Sequence, residues 1–213
     1  METFDILHIV SSISILLPIL ISIIRFRFLD NVLRTLSYLL FLSLLFEIII
    51  EFTVRRNINN LPFLHLFTIV EFSFLGLIFY KVFTHPLFKK AIIVTIIAFA
   101  AFAVINALFI QTLYEFNTIA RAVESFLLIL LALLFFYKIF RESVVVHLGR
   151  YPMFWISSGI LVYFSGSFFL FIFSNYILEQ PGDMLYSYWG IHSVLNIFLN
   201  LFFAMGLWYS SQK

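Results

Sequence analysis

The chain has 213 residues, of which 63% are hydrophobic and only 11% charged, against roughly 45 to 50% and 25% in soluble domains. That composition excludes a soluble globular protein, and the net charge of +2 is explained by the placement of the basic residues at the span ends, so no nucleic-acid partner is expected. Zero cysteine excludes disulfides, thiolate metal sites and a cysteine nucleophile.

Hydropathy over spans of about 20 residues predicts seven transmembrane helices, at 6–24, 37–54, 62–82, 91–111, 118–140, 153–176 and 188–209. These stretches are too long and too uniformly apolar for the alternating strands of a membrane barrel. The expected fold is therefore an all-α, polytopic integral membrane protein. The loops are too short to hold a soluble unit, so residues 1–213 form one seven-helix domain.

The opening METFDILHIV has Glu2 and Asp5 and no basic residue before Arg25. That is the wrong flank for a cleavable signal, so the first span is expected to remain in the mature protein. The connections after spans one, three and five, with the C-terminus, hold Arg25, Arg27, Arg34, Lys81, Lys89, Lys90, Lys138, Arg141, Arg150 and Lys213. The other side has Arg55 and Arg56, plus Arg121 inside span five. Basic residues in short loops stay cytoplasmic, so this bias predicts the N-terminus outside and the C-terminus inside. The aromatic anchors agree, with Tyr186, Tyr188 and Trp189 on the outer side and Tyr151, Trp155, Trp208 and Tyr209 on the inner. The expected location is the plasma or inner membrane.

Polar residues within the spans sort towards the outer side. Glu47 and Glu51 lie on span two, His65 and Glu71 on span three, Asn106 and Gln111 on span four. Arg121 and Glu124 lie on span five, and His192, Asn196 and Asn200 on span seven, while the inner halves are almost purely aliphatic and aromatic. This asymmetry predicts an outward-facing polar pocket above an apolar floor. A carboxylate as deep as Glu71 costs about 2.5 to 3.5 kcal/mol on insertion scales, so it needs a partner and marks a candidate site.

Side chains four apart share a helix face, which aligns His192, Asn196 and Asn200 on one stripe and Ser43, Glu47 and Glu51 on another. Arg121 and Glu124, three apart, are placed to pair. The candidate ligand-binding set is Glu47, His65, Glu71, Arg121, Glu124, His192, Asn196 and Asn200. Structural roles compete with this reading: Arg121 with Glu124 as an ion pair neutralised for burial, and Asn196 with Asn200 as interhelical hydrogen-bond glue. Glu51 beside Arg55 and Arg56 reads as a solvated helix end, His8 as interfacial, and His85 and His147 as loop residues.

Three functional readings follow. The first is a small seven-helix membrane module that senses a ligand or protons in the outward pocket and signals through a cytoplasmic or membrane partner. The second is a membrane-embedded hydrolase acting on lipid, with zinc held by His8, His65 and His192 with Glu71 or Glu47, a set that meets the chemistry of a three-imidazole, one-carboxylate site. Against it, the chain has no HExxH, no GxSxG and no aspartate within a span. The third is a small-solute transporter, which calls for helices broken by Gly or Pro at mid-depth. Pro62, Pro86, Pro152 and Pro181 fall at or beyond span ends, and Pro18 alone lies inside one.

Overall fold

A computed structural model describes the backbone of residues 2–142, 147–178 and 182–210, and the side chains of 6–142, 147–177 and 186–210. Pro181 and Lys213, used above, lie outside the described residues. Among these there are eight α-helices and no strand: α1 (Glu2–Ser14), α2 (Leu16–Arg25), α3 (Asn31–Arg55), α4 (Leu61–Val82), α5 (Pro86–Phe109), α6 (Thr118–Glu142), α7 (Pro152–Leu178) and α8 (Gly182–Trp208). With α1 and α2 counted as one span, seven are long and apolar enough to cross a membrane.

Most helices outrun a hydropathy boundary because hydrogen bonding, and not apolarity, ends a helix, whereas α5 stops at Phe109 and leaves Gln111, read above as part of span four, in the connection that follows. Helix α3 begins at Asn31, before the apolar run, since the Asp30 carboxylate accepts from the backbone N–H groups of Val32 (3.0 Å) and Leu33 (2.9 Å). Such a cap satisfies donors the first turn cannot pair internally, and stabilises by about 1 kcal/mol. At its other end Asn57 adopts left-handed backbone (φ 53°), with Asn57 N–H donating to Val54 O and Ile58 N–H to Thr53 O. That crossed pair of bonds is the Schellman stop, and asparagine tolerates the conformation it requires. Helix α5 starts on Pro86, where His85 Nδ1 accepts from Leu87 N–H at 3.3 Å.

Span one is kinked. Pro18 has no N–H to give the Ser14 carbonyl, and its ring crowds that carbonyl, so the helix divides between Ser14 and Leu16. Ile15 keeps right-handed helical dihedrals (φ −63°, ψ −24°), which makes this a bend and not an unwound break.

Six spans close into a ring. Helices α1 and α2 pack on α8, α8 on α7, α7 on α6, α6 on α4, α4 on α3, and α3 returns to α2. Helix α5 stands outside, against α4 and α6, with Phe99 meeting Phe72 of α4 at 4.3 Å between centroids. The starts of α1, α4, α6 and α8 share one end of the bundle, called here the N-rim; the opposite end is the C-rim.

The α7–α8 contact is the closest. A Cβ at Gly159 would lie 2.7 Å from Phe202 Cβ, and one at Gly206 would lie 3.2 Å from the Pro152 carbonyl oxygen. Small residues that let backbones approach are how helices associate in lipid, where apolar burial drives little. At the C-rim, Lys81 Nζ donates to Asn31 O (3.0 Å) and Thr35 Oγ1 (2.5 Å), and Lys138 Nζ donates to Val82 O (3.0 Å). Lys138 thus satisfies a carbonyl in the last turn of α4, where a cation is favoured, while Lys81 ties the end of α4 to the first turn of α3.

Candidate functional site

The ring encloses a cavity of about 970 Å³ in its N-rim half. Its walls come from every span except α5, in keeping with the place of α5 outside the ring. The floor is apolar and buried, made by Leu39, Leu40, Leu75, Leu199 and Phe203. Above, the cavity reaches the N-rim at Glu51, Arg55 and Asn60, all exposed or half-buried. It also opens sideways between α1 and α3, where the lining residues Ile9, Ile13, Ile48 and Phe52 are each more than half exposed.

The deep wall holds the strongest electrostatics in the molecule. Arg121 Nη1 donates to Glu71 Oε2 on α4 and, at 2.9 Å, to Glu124 Oε2 one turn along α6. The guanidinium also lies 4.6 Å above the Phe171 ring. Glu71 and Arg121 are 8% and 9% exposed and face the cavity, whereas Glu124 is 0% exposed and sits behind them, its Oε1 without a hydrogen-bond partner among the described residues. Two carboxyls thus share one guanidinium, all three groups buried. The cluster carries one negative charge too many unless a proton or a bound cation balances it, since an unbalanced charge at this depth is expensive.

Beside this cluster, Tyr163 of α7 and His192 of α8 join through a 3.1 Å hydrogen bond between the phenolic oxygen and Nε2. The imidazole is fenced by aromatic edges, Phe171 at 5.8 Å and Trp189 at 5.7 Å. Tyr163 is an electrostatic neighbour of Arg121 as well, so the polar wall is continuous from α4 through α6 and α7 to α8.

On the facing wall Glu47 of α3 is half-buried and faces Ser12, with His8 as an electrostatic neighbour. Asn196 Nδ2 donates to Ser11 Oγ (3.0 Å) and Asn200 Nδ2 to Ser14 Oγ (2.8 Å). The asparagine stripe therefore ties α8 to span one, and both asparagines also line the cavity. Interhelical bonds in membranes average about 0.6 kcal/mol, so Asn200→Leu should lower the thermal unfolding midpoint of the purified protein only slightly. A large loss there would give Asn200 more than a tethering role.

Seven of the eight predicted ligand-binding residues gather at or directly behind this cavity; His65 does not. Its Nε2 lies 3.1 Å from the Glu115 carbonyl oxygen, in the connection between α5 and α6. That connection is braced further by Asn117 Nδ2 donating to Thr68 Oγ1 (2.7 Å) and Gln111 Nε2 to Thr118 Oγ1 (2.7 Å). Asn106 donates to Gln111 Oε1 at 3.2 Å, so the polar residues at the end of α5 serve this loop and not the cavity. His8, His65, His192 and Glu71 are not brought together, and no group of three or more metal-ligating side chains gathers among the described residues. The hydroxyls of Ser14, Ser43 and Ser125 donate to carbonyls of their own helices.

Sequence reasoning did not single out Tyr163, Phe171 or the serines of span one. The run SSIS at 11–14 was a usable signal, since three hydroxyls in one apolar span need acceptors. Comparison of the chain with protein-family profiles, with curated proteins and with solved structures finds no match, and function is argued from the site alone.

Proposed function

We propose that this protein is a ligand-binding sensory module of the membrane, with the N-rim outward and the basic C-rim towards the cytoplasm of a plasma or inner membrane. The observation that carries the reading is the cavity with the buried Glu71–Arg121 ion pair facing it beside Tyr163 and His192. A pocket of a few hundred to about 1,000 Å³, mostly apolar with a few convergent polar groups, is the ordinary form of a small-molecule site. Its walls belong to six spans, so an occupant that repositions Arg121 acts on α4 and α6 together. The signal would leave through a partner at the C-rim, where Lys138, Arg141 and Arg150 lie. The apolar floor supports a binding role over passage through the bundle.

The native chain has no cysteine, so single cysteines report without background. Glu47→Cys and Asn196→Cys should react with a membrane-impermeant thiol reagent added to the outer face of intact cells. Cysteines that react only after denaturation, or only from the inner face, would sink the outward pocket.

A further inference from the structure

We infer that the occupant is an amphiphile with a cationic head, an amine or quaternary ammonium, that enters sideways from the bilayer between α1 and α3 with its head against Glu47 and Glu71. This rests on the binding reading above and specifies its ligand class and its route.

The route follows from the packing. Helix α1 leans on α8, and α3 meets span one through α2, beyond the Pro18 bend. The N-rim half of the seam between α1 and α3 is therefore held apart, and the cavity reaches the lipid-facing surface there. The side chains framing it, Ile9 and Ile13 on one side and Ile48 and Phe52 on the other, are apolar and more than half exposed. A water-soluble ligand gains nothing from such a frame. An alkyl tail can lie between these residues while its head sits inside, which leaves neither part in the wrong medium.

The sign of the head follows from the charges. Three carboxyls, Glu47, Glu71 and Glu124, lie at or directly behind the cavity with one guanidinium, Arg121, which two of them already engage and which stacks on Phe171. Glu51 and Arg55 cancel at the rim, at 2.6 Å. His8, beside Glu47, and His192, beside Arg121, are the other bases at hand. An anionic head would have to displace Glu71 or Glu124 from Arg121, whereas a cationic head meets Glu47 and Glu71 on the cavity wall without breaking that pairing. Phe46 and Phe67, cavity-lining rings 5.2 Å apart between α3 and α4, add π faces next to Glu47 that suit an ammonium.

The test uses the full chain in lipid nanodiscs and two photoactivatable probes with the same long alkyl chain, one ending in an amine and one in a carboxylate. Adducts are mapped by mass spectrometry. The amine probe should label the α1 and α3 walls at least about tenfold more than the carboxylate probe. Excess unlabelled long-chain amine should compete, and a short-chain amine should not. Glu47→Gln should lower labelling, and Ile48→Trp, placed on the exposed frame, should slow it without changing the unfolding midpoint. Equal labelling by both probes overturns the cationic head; equal competition by the short amine overturns the sideways route. No cavity labelling by either probe overturns the inference as a whole. If Glu47→Cys still reacts from outside in that case, the binding reading survives; if it does not, both fall.

Discussion

Replacing Arg121 by Leu is expected to cost about 3 to 5 kcal/mol of stability, because it strands two buried carboxyls without their shared cation. Glu124 is fully buried and has no second partner for its other oxygen among the described residues, so it has no way to recover the loss. The measurement is unfolding of the purified protein in mixed micelles against increasing denaturing detergent. The triple variant Arg121→Leu, Glu71→Gln, Glu124→Gln should regain most of the loss, since uncharged groups of similar volume are far cheaper to bury than an unpaired ion. Glu124→Gln alone should cost much less than Arg121→Leu, because Glu71 keeps the guanidinium. Equal losses in those two single variants would mean that Glu71 takes no part in the pairing.

The second large effect is steric. Gly159→Val should destabilise by about 1 to 3 kcal/mol or more, because its Cβ would meet Phe202 Cβ at 2.7 Å, close to the partner backbone where no rotamer change can relieve the clash. Gly149 provides the internal control, as nothing lies within 4 Å of a Cβ built there. Gly149→Ala should leave the thermal unfolding midpoint unchanged while Gly159→Val lowers it by several degrees. A neutral Gly159→Val would show that α7 and α8 slide apart at little cost.

Much of the architecture was legible from one physical quantity, the transfer of apolar side chains to hydrocarbon, and that quantity is blind to helix ends. The start of α3 was missed because Asn31 and Arg34 end the apolar run although Asp30 caps the helix ahead of them. Arg121 with Glu124 was readable because three residues apart is one turn of a helix. Arg121 with Glu71 was not, since those residues lie 50 apart in the chain and only the packing of α6 on α4 joins them. His65 and Glu71 share a helix and were weighed together, yet six residues turn a side chain about 120° around the axis. That rotation sends His65 to the α5–α6 connection and Glu71 to the cavity. Tyr163 and Phe171 gave no contrast in a chain with thirty phenylalanines and ten tyrosines, so their roles beside Arg121 could be read only from coordinates.

The bonds from Asn196 to Ser11 and from Asn200 to Ser14 join residues 185 and 186 positions apart, and so fasten the first span to the last. This has a consequence for biogenesis. A chain is made from its N-terminus, so span one is synthesised well before α8, the surface on which it docks. Until α8 arrives, the hydroxyls of Ser11 and Ser14 lack their asparagine donors and the ring stands open on one side. The contact between span one and α8 is therefore a long-range closure, the kind of contact that is slow to form. A ribosome stalled before α8 would hold a set of inserted spans with no finished cavity.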